Sequence, residues 1–347
     1  MRVPRVSVLM TLYNKGSFVE EAARSVLKST YEDLELIVVD DASTDDGPQH
    51  IQRMEDPRIR LLMIERNSGR PAAANKGYDA ATGEFIAVLD ADDRMHEDRI
   101  ARQVAYLDAH PDVGAVGTGL SVFGSKKELW NWPEQDEEGR GKMLFGDPVC
   151  YGTAMFRRAI IEQHHLRCDE TWRTPGMDFL FLLTIAPHLK FANILEPLTY
   201  YRVGDQNMRH GRDPLEDRAL VYRREFEMFG ILASDQDLRS QLMLHRLFRH
   251  IPDKHDIVAL ADWIERLSAM NREKRLFPVR IFEAELHRRF RGLFYLVADH
   301  DLSAAYAHLR CTGILNFTNW RYLALVTLRR LSGWRPEDLT TPEPIRS

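Results

Sequence analysis

Residues 6–118 alternate apolar runs of strand length with segments of helical periodicity, and this alternation most constrains the fold. The apolar runs are VSVLMTL (6–12), LELIVVD (34–40), RIRLLMI (58–64), EFIAVLD (84–90) and VGAVGT (113–118). Apolar residues recur at helical spacing in 17–28, 71–81 and 96–109. Strands without polar alternation are buried on both faces, and the helices between them cover those faces. The pattern therefore predicts an α/β fold with a parallel sheet.

The character of the chain changes after residue 118 and again near residue 214. Residues 119–205 are mixed: we predict short strands at 152–156, 189–195 and 198–203, a helix at 178–186 and an irregular stretch at 130–141. Helical periodicity then continues in 215–232, 236–249, 255–270, 279–298, 302–311 and 318–331. We therefore predict an α/β domain at 1–212 with halves 1–118 and 119–212, a helical domain at 213–335, and a tail at 336–347.

Composition is that of a soluble globular protein, with 44% hydrophobic and 29% charged residues. The three cysteines have neither disulfide-framework nor metal-ligand spacing, which favours a reducing compartment. The first apolar run ends too early for a signal peptide, and no run approaches the roughly 20 residues that span a bilayer. We therefore expect a cytoplasmic protein.

The net charge of −5 conceals an asymmetry, because residues 272–335 hold twelve Lys/Arg against five Asp/Glu. Such a basic segment can face an anionic membrane or simply present solvated helix faces. Its apolar helix faces can pack on the α/β domain or on a second subunit, or dock peripherally on an anionic membrane. Packing and membrane docking both stay open here, and packing on a second subunit would make the protein an oligomer. We expect no nucleic-acid partner.

Polar side chains gather where three of the predicted strands end. They are Thr11, Tyr13 and Asn14, then Asp40, Asp41, Ser43 and Thr44, and finally Asp90, Asp92 and Asp93. In open parallel sheets, ligands bind outside the carboxyl ends of the strands. Because buried charge is costly unless it is paired, Asp90 and Asp92 suit a hard divalent cation with sites left open for phosphate oxygens.

The other common phosphate-binding signals are missing from the sequence. It contains no G-x-x-x-x-G-K-[ST] loop and no G-x-G-x-x-G after the first strand. A P-loop or a Rossmann dinucleotide site is therefore disfavoured, and phosphate would be held through a metal ion.

Three segments together resemble the nucleotide-binding half of family 2 glycosyltransferases, which have the GT-A fold. They are VSVLMTLYNKGSFVEEAARSVLKSTYEDLELIVVDDASTDDG, NSGRPAAANKG and GEFIAVLDADD. The similarity is strong over 5–118 and weaker over 150–205. It implies a GT-A nucleotide-diphospho-sugar transferase domain, with a mostly parallel sheet flanked by helices, followed by the helical C-terminal extension.

The resemblance implies a set of donor-binding residues. Thr11 and Tyr13 would line the base and ribose pocket, although the family often has Pro-Thr where this chain has Thr11-Leu12. Asp41 would accept a hydrogen bond from the base, with uracil favoured over guanine and thymine. Arg70 and Asn75 would lie near the nucleotide, although Asn75 could instead only shape its helix.

The resemblance also implies the metal site and the catalytic base. Asp90 would approach the ribose, and Asp92 would ligate Mn²⁺ or Mg²⁺ and connect it to the diphosphate. His210 would add a metal ligand or contact the diphosphate, or else be an exposed histidine. Asp178 would be the general base in the place of the family's Glu-Asp pair, whose first acid is here Met177. Asp169 and Glu170 are the fallback candidates for the base.

The implied activity is a single displacement with inversion, from a nucleotide-diphosphate sugar (a UDP-sugar is favoured) to a hydroxyl of a saccharide or lipid-linked acceptor. The implied role is synthesis of a bacterial surface polysaccharide or glycoconjugate, in the cytoplasm or on the inner face of the membrane. Two alternatives stay open. Because Met177 replaces an acid, the protein could be a non-catalytic nucleotide-binding or scaffold member of the family. The second alternative, a nucleotidyltransferase, has weaker support because only Lys15 and Gly16 would form its phosphate loop.

Overall fold

The computed structural model describes residues 3–204, 211–312 and 317–331. Contacts divide the chain into two compact units, Met1–Gly211 and Arg212–Ser347. The first unit contains one sheet and its covering helices, and the second is helical.

The described strands of the first unit are β1 (Val6–Leu12), β2 (Leu34–Asp40), β3 (Ile59–Met63), β4 (Phe85–Val88), β5 (Arg94–Met95), β6 (Val113–Gly124), β7 (Glu128–Trp130), β8 (Met155–Arg157) and β9 (Lys190–Val203). They form a single nine-stranded sheet in the order β3-β2-β1-β4-β8-β6-β9-β5, with β7 paired to β6. The helices of this unit are α1 (Gly16–Leu27), α2 (Gly47–Gln52), α3 (Arg70–Ala80), α4 (Arg99–Ala109), α5 (Asp136–Lys142), α6 (Arg158–Gln163) and α7 (Met177–Ile185).

The buried strands lie where the apolar runs predict them. All seven residues of β2 are buried, and β1 is buried except for Thr11. Branched side chains on both faces of these strands pack against α1, α3 and their neighbours to form the core. The predicted α/β fold with a C-terminal helical extension is confirmed.

The sheet is mixed, which corrects the expectation of a parallel sheet through residue 118. β8 lies antiparallel between β4 and β6. As a result six strands run in one direction, and β5, β7 and β8 run in the other. The apolar run at 113–118 still lies in the same direction as β4, but it contacts β4 only through β8.

Several further element predictions differ from the structure, and the two strands predicted at 189–195 and 198–203 form the single strand β9. The stretch 130–141 is not irregular throughout, because it includes the end of β7 and most of α5. Strand β4 ends at Val88, two residues before Asp90. The predicted helix 279–298 is two helices, because the chain departs from regular helix at Leu293.

The second unit contains seven described helices. They are α8 (Pro214–Phe229), α9 (Asp235–Leu244), α10 (Lys254–Lys274), α11 (Val279–Gly292), α12 (Phe294–His300), α13 (Leu302–Thr312) and α14 (Phe317–Leu331). Capping boxes at Ser234 and Asp253 start α9 and α10. Aromatic side chains, including the fully buried Trp263 and Phe294, fill the interior. None of the helices in the described part of the chain has the length and apolar character needed to cross a membrane.

One carboxylate of the helical unit is buried and fully paired. Glu285 on α11 is 4% exposed, and its Oε1 accepts hydrogen bonds from Arg288 and Arg289, both at 2.6 Å. Its Oε2 accepts a third from Arg288 Nε at 2.8 Å. Burial raises the pKa of a carboxyl, but the hydrogen bonds and charge of the two arginines outweigh burial and lower the pKa of Glu285.

Candidate active site

The candidate site lies at the edge of the sheet where β1, β2 and β4 end. These three strands are parallel neighbours, with Leu12 opposite Asp40 and Leu9 opposite Val88. Their carboxyl ends therefore meet at one edge, and the polar residues that follow them lie close together.

The loops after β1 and β2 bind to each other at this edge. Asn14 takes a left-handed backbone conformation, donates its N–H to Ser43 Oγ at 3.0 Å, and accepts from the Thr44 N–H at 2.8 Å. Between these contacts Tyr13 stays 45% exposed, and Thr11 at the end of β1 is partly exposed. The aromatic ring predicted for the base pocket is thus accessible.

Asp41 connects β2 to the loop that begins α3. Its side chain is 3% exposed, and its two carboxylate oxygens accept the N–H groups of Ser68 and Gly69 at 2.7 and 2.8 Å. Gly69 has a φ of 87°, which only glycine adopts easily, and α3 begins at the next residue, Arg70. Asp41 therefore fixes the start of α3. Each of its oxygens keeps a second lone pair, so the contact predicted with the base stays a prediction.

Arg70, the first residue of α3, contacts Asp90 after β4 and Tyr151 in the second half of the sheet unit. Its Nη2 forms an ion pair of 2.5 Å with Asp90 Oδ1, and its guanidinium lies 5.8 Å from the centre of the Tyr151 ring. Burial lowers the pKa of this guanidinium, but the charges of Asp90 and Asp178 outweigh burial and raise it. Asp90 and Asp178 therefore act on the same cation.

The three acids after β4 have three different partners. Asp92 Oδ2 accepts from Lys15 Nζ at 2.7 Å, while Asp90 pairs with Arg70. Asp93 is 3% exposed and accepts the backbone N–H of Arg202 at 2.8 Å. Arg202 also donates from Nε to the Asp92 carbonyl at 2.9 Å, so the end of β9 holds this turn.

Burial raises the pKa values of two of these acids. It is the largest cause for Asp90, whose pKa is lowered by the charge of Arg70 and raised by that of Asp92. Burial likewise raises the pKa of Asp93 well above its usual range, with Asp90 and Asp92 adding to the effect. A further cation near these two carboxyls would favour their ionised forms.

Two buried groups that interact with these acids, Arg99 and Cys150, were not identified as site residues from the sequence. Arg99 is fully buried, donates to the Val88 carbonyl at 2.8 Å and to Gln103 Oε1 at 3.1 Å, and has a pKa lowered by burial to about 10. Asp93 and Asp90 oppose that lowering. The pKa of the Cys150 thiol is raised by burial and by Asp147 and Asp90. All three cysteines are free thiols.

Asp178 lies in the first turn of α7, as predicted. The helix starts after Gly176, whose φ of 104° is left-handed, and its apolar residues Phe179 to Leu183 are buried. Asp178 itself is partly exposed and accepts the Phe179 N–H at 2.9 Å.

Asn75 contacts the loop before α7. Its Nδ2 donates to the Cys168 carbonyl at 3.0 Å and to Glu170 Oε1 at 2.9 Å, and its Oδ1 accepts the Cys168 N–H at 2.8 Å. Asn75 thus holds the loop at 168–170, and its predicted nucleotide contact stays a prediction. The other fallback base, Asp169, accepts from Thr171 within the loop.

The acids of the site suit a metal that the substrate helps to bind. Within 3–204, 211–312 and 317–331, no three His, Cys, Asp or Glu side chains are arranged to hold a metal ion by themselves. His210, predicted as a ligand, lies outside the described residues. Mg²⁺ and similar ions are commonly bound by one or two carboxylates together with substrate phosphates, and Asp90 and Asp92 can supply those carboxylates.

Lys15 and Arg202 are the site residues that sequence reasoning missed as partners of the acids. Lys15 carries a weak signal, because it follows the Tyr13-Asn14 pair at the start of α1. Arg202 carries no local signal, since it contacts Asp92 and Asp93 across 110 and 109 positions of sequence.

Comparison with known proteins agrees with this geometry. The family model described as "Glycosyl transferase family 2" matches residues 7–164. The "Succinoglycan biosynthesis protein ExoO" of Rhizobium meliloti (strain 1021) is 34% identical over 288 residues, which are 77% of this chain and 79% of that protein.

Two solved structures have the same fold at low identity. S. aureus TarS 1-349 in complex with UDP-GlcNAc has a TM-score of 0.55 and 17% identity, over 83% of this chain and 92% of that one. Mannosyltransferase PcManGT from Pyrobaculum calidifontis, in complex with GDP-Man and Mn²⁺, has a TM-score of 0.53 and 20% identity, over 95% and 88%.

Proposed function

Because the chain belongs to glycosyl transferase family 2 and is a glycosyltransferase, we propose that it uses a nucleotide-diphosphate sugar, a UDP-sugar in the first instance, and a divalent metal ion. The acceptor is a hydroxyl of a saccharide or a lipid-linked saccharide. The anomeric carbon is inverted in a single displacement.

The observation that carries this proposal is the convergence of four groups on one sheet edge. Asp90 pairs with Arg70, Asp92 follows two residues later, and Asp178 from α7 acts electrostatically on both Arg70 and Asp90. This convergence supports a single site that holds both the donor and the candidate base.

The donor is bound by the ends of β1 and β2. Tyr13 stacks on or beside the base, Thr11 contacts the ribose, and Asp41 accepts a hydrogen bond from the base through its remaining lone pairs. Arg70 holds Asp90 in position toward the ribose, and Asn75 supports this region through the 168–170 loop.

Asp92, with Asp90 beside it, holds Mn²⁺ or Mg²⁺. When bound, such an ion supplies Lewis-acid stabilisation of the negative charge on the departing diphosphate. The carboxylates fit this role, because burial and then the neighbouring acids raise the pKa values of Asp90 and Asp93, and a divalent cation favours the ionised forms. His210 is retained as an additional ligand in this proposal.

Asp178 is the general base. Its carboxylate takes the proton from the acceptor hydroxyl while that oxygen forms the bond to the anomeric carbon. The bond from the anomeric carbon to the diphosphate oxygen breaks in the same step, and the nucleoside diphosphate leaves. The acid that usually precedes this position in the family is Met177 here, which is 5% exposed and lies in the buried face of α7.

We propose synthesis of a bacterial surface polysaccharide as the setting, because the relative covering most of this chain is a succinoglycan biosynthesis protein. The product chain would be built on the cytoplasmic side of the membrane. The acceptor is recognised by the loops around α7 and β7, where the ring centres of Trp130 and Tyr201 are 5.8 Å apart.

Peripheral membrane contact through the basic helical segment is part of this proposal. Helix α14 exposes an apolar stripe that includes Phe317 (81% exposed), Leu328 (63%) and Leu331 (80%), with Arg321 and Arg329 exposed beside it. Such a face suits an anionic lipid surface. Sedimentation with anionic vesicles at low salt should fall when Phe317 and Leu328 are both replaced by Ser. A switch from dimer to monomer without any vesicle binding would assign the face to a second subunit instead.

The donor site is tested by calorimetric titration of UDP, GDP, dTDP and CMP, each with and without Mn²⁺. We expect metal-dependent binding of one nucleoside diphosphate, lost in Asp92→Asn. The control is Asp112→Asn, which removes an exposed acid paired with Lys190 away from the site. If the wild-type protein binds none of these nucleotides with Mn²⁺ present, the donor site is wrongly assigned. Binding without transfer from any donor would favour a non-catalytic member.

A further inference from the structure

Lys15 is the cation that contacts the proposed metal ligand. Its Nζ lies 2.7 Å from Asp92 Oδ2, and the two side chains are only 20% and 12% exposed. The pair joins the start of α1 to the turn after β4 across 77 positions of sequence.

The backbone of Lys15 is firmly placed. Its carbonyl accepts the N–H groups of Phe18 and Val19, both at 2.9 Å, which begin α1. The next residue, Gly16, donates its N–H to Asp45 Oδ2 at 2.7 Å, and a Cβ there would lie 2.5 Å from Asp46 Oδ1. The start of the helix is therefore fixed, while the lysine side chain is a flexible four-carbon stem with a compact charge at its end.

The ammonium of Lys15 lies on an oxygen that the metal would need. An ammonium group has three donors and no acceptor, and it repels a divalent cation on the same carboxylate oxygen. The diphosphate of the donor brings new acceptor oxygens and negative charge to the same edge of the sheet. A lysine released from Asp92 then has partners within reach of its stem, as lysines commonly have in phosphate sites.

We propose that Lys15 is a displaceable counter-ion: it neutralises Asp92 in the free protein and binds the diphosphate of the donor when metal and nucleotide arrive. This inference rests on the donor role proposed for Asp92. It makes Lys15 a donor-binding residue, and it makes metal and nucleotide bind cooperatively, because each favours release of Lys15 from Asp92.

The test compares Lys15→Met with the wild-type protein. Lys28→Met is the matched control, because Lys28 is an exposed lysine at the other end of α1. Mn²⁺ binding without nucleotide is measured by electron paramagnetic resonance, and UDP and inorganic pyrophosphate binding by calorimetry in EDTA and in saturating Mn²⁺. Thermal melting checks that each variant is folded.

We expect Lys15→Met to bind Mn²⁺ alone about tenfold more tightly, and to bind UDP and pyrophosphate in saturating Mn²⁺ about tenfold more weakly, a change of about 1.4 kcal/mol in each. Lys15→Arg should restore much of the diphosphate affinity, and Lys28→Met should match the wild type.

Unchanged or weaker Mn²⁺ binding in Lys15→Met would overturn the counter-ion role, even if UDP binds the wild-type protein well. Unchanged UDP and pyrophosphate affinity in saturating Mn²⁺ would overturn the diphosphate contact. If the wild-type protein binds neither UDP nor pyrophosphate with Mn²⁺ present, the proposed donor site and the diphosphate contact both fail. The counter-ion role of Lys15 would still hold if Lys15→Met gains Mn²⁺ affinity.

Discussion

Both compact units bury carboxylates, and the acids after β4 in the sheet unit contrast with Glu285 in the helical unit. In the sheet unit, Asp90 and Asp93 lie beside each other and beside Asp92, and their pKa values are raised. In the helical unit, Glu285 lies between Arg288 and Arg289, and its pKa is lowered. Burial acts in the same direction on all of them, so the neighbouring charges make the difference.

This contrast separates a carboxylate that supports the fold from one that awaits a ligand. Glu285 has three short hydrogen bonds from guanidinium groups and needs no further partner. The acids after β4 are also partnered, by Arg70, Lys15 and the Arg202 N–H, yet the pKa values of Asp90 and Asp93 stay raised. Raised pKa values at a strand end mark a candidate functional site, whereas the pairing of Glu285 explains its place in the fold.

The strongest test of the contrast is the substitution Asp178→Asn. If Asp178 is the base, the rate of sugar transfer should fall by about 10²–10⁴-fold, the range of general-base catalysis. Nucleotide binding and melting temperature should stay close to those of the wild-type protein. Transfer is measured with the donor that calorimetry identifies.

Asp169→Asn serves as the control, because Asp169 lies in the loop before α7 and accepts hydrogen bonds from Thr171 in that loop. Should Asp169→Asn abolish transfer while Asp178→Asn keeps it, the base has been misassigned to α7.

The second test is Glu285→Gln in the helical unit. Removing a buried charge that holds two arginines should cost about 2–3 kcal/mol of unfolding free energy. Glu283→Gln on the same helix removes a more exposed ion pair with Arg272 and should cost less than about 1 kcal/mol. Urea denaturation followed by circular dichroism measures both. Equal losses in the two variants would show that burial of Glu285 contributes little.

The third and smallest effect is the pH dependence of stability, which should have opposite signs for Glu285 and for Asp93. The folded-state pKa of Glu285 is below its usual value of 4.5, so its stabilisation is present above that pH and is lost on acidification through the folded value. The folded-state pKa of Asp93 is above its usual value of 3.8, so stability falls as the pH rises through the folded value.

The melting temperature of each variant relative to wild type, measured against pH, checks these signs. The disadvantage of Glu285→Gln should shrink below pH 4.5. Asp93→Asn should gain relative to wild type as the pH rises above 3.8, by at most about 1.4 kcal/mol per pH unit. Slopes of the same sign would contradict the contrast between the two units.

Much of the sheet was predictable because its signal is local. The runs in β1 and β2 consist of branched apolar residues that fit only a strand buried on both faces, and their bounds agree with the structure to the residue. The start of α7 was predictable for a similar reason, since an acid precedes an unbroken apolar helix. Local patterns do not contain the order of the strands, which is why the reversed β8 was missed.

The identity of the acids in the site was predictable, but their partners were not. Asp90 and Asp92 are visible as a cluster in the sequence, whereas Lys15 and Arg202 reach them from elements far along the chain. For Asn75 the observed partners differ from the one that the sequence suggested, and its nucleotide contact stays a prediction. Its segment suggested a nucleotide contact, but its hydrogen bonds reach Cys168 and Glu170 across 93 and 95 positions. Amide side chains accept many partners, so the sequence alone does not select among them.

The contacts of Arg202 have a consequence for how the protein is made. Its backbone N–H and its guanidinium bind the turn at 92–93 only after strand β9 exists, 110 positions after Asp92. At ribosomal speeds of 5–20 residues per second, that interval lasts roughly 5–20 s. During this time the turn at 92–93 lacks these contacts. A fragment that stops at residue 164, where the family match ends, would lack them as well. The candidate site therefore gains the contacts of Arg202 late in translation.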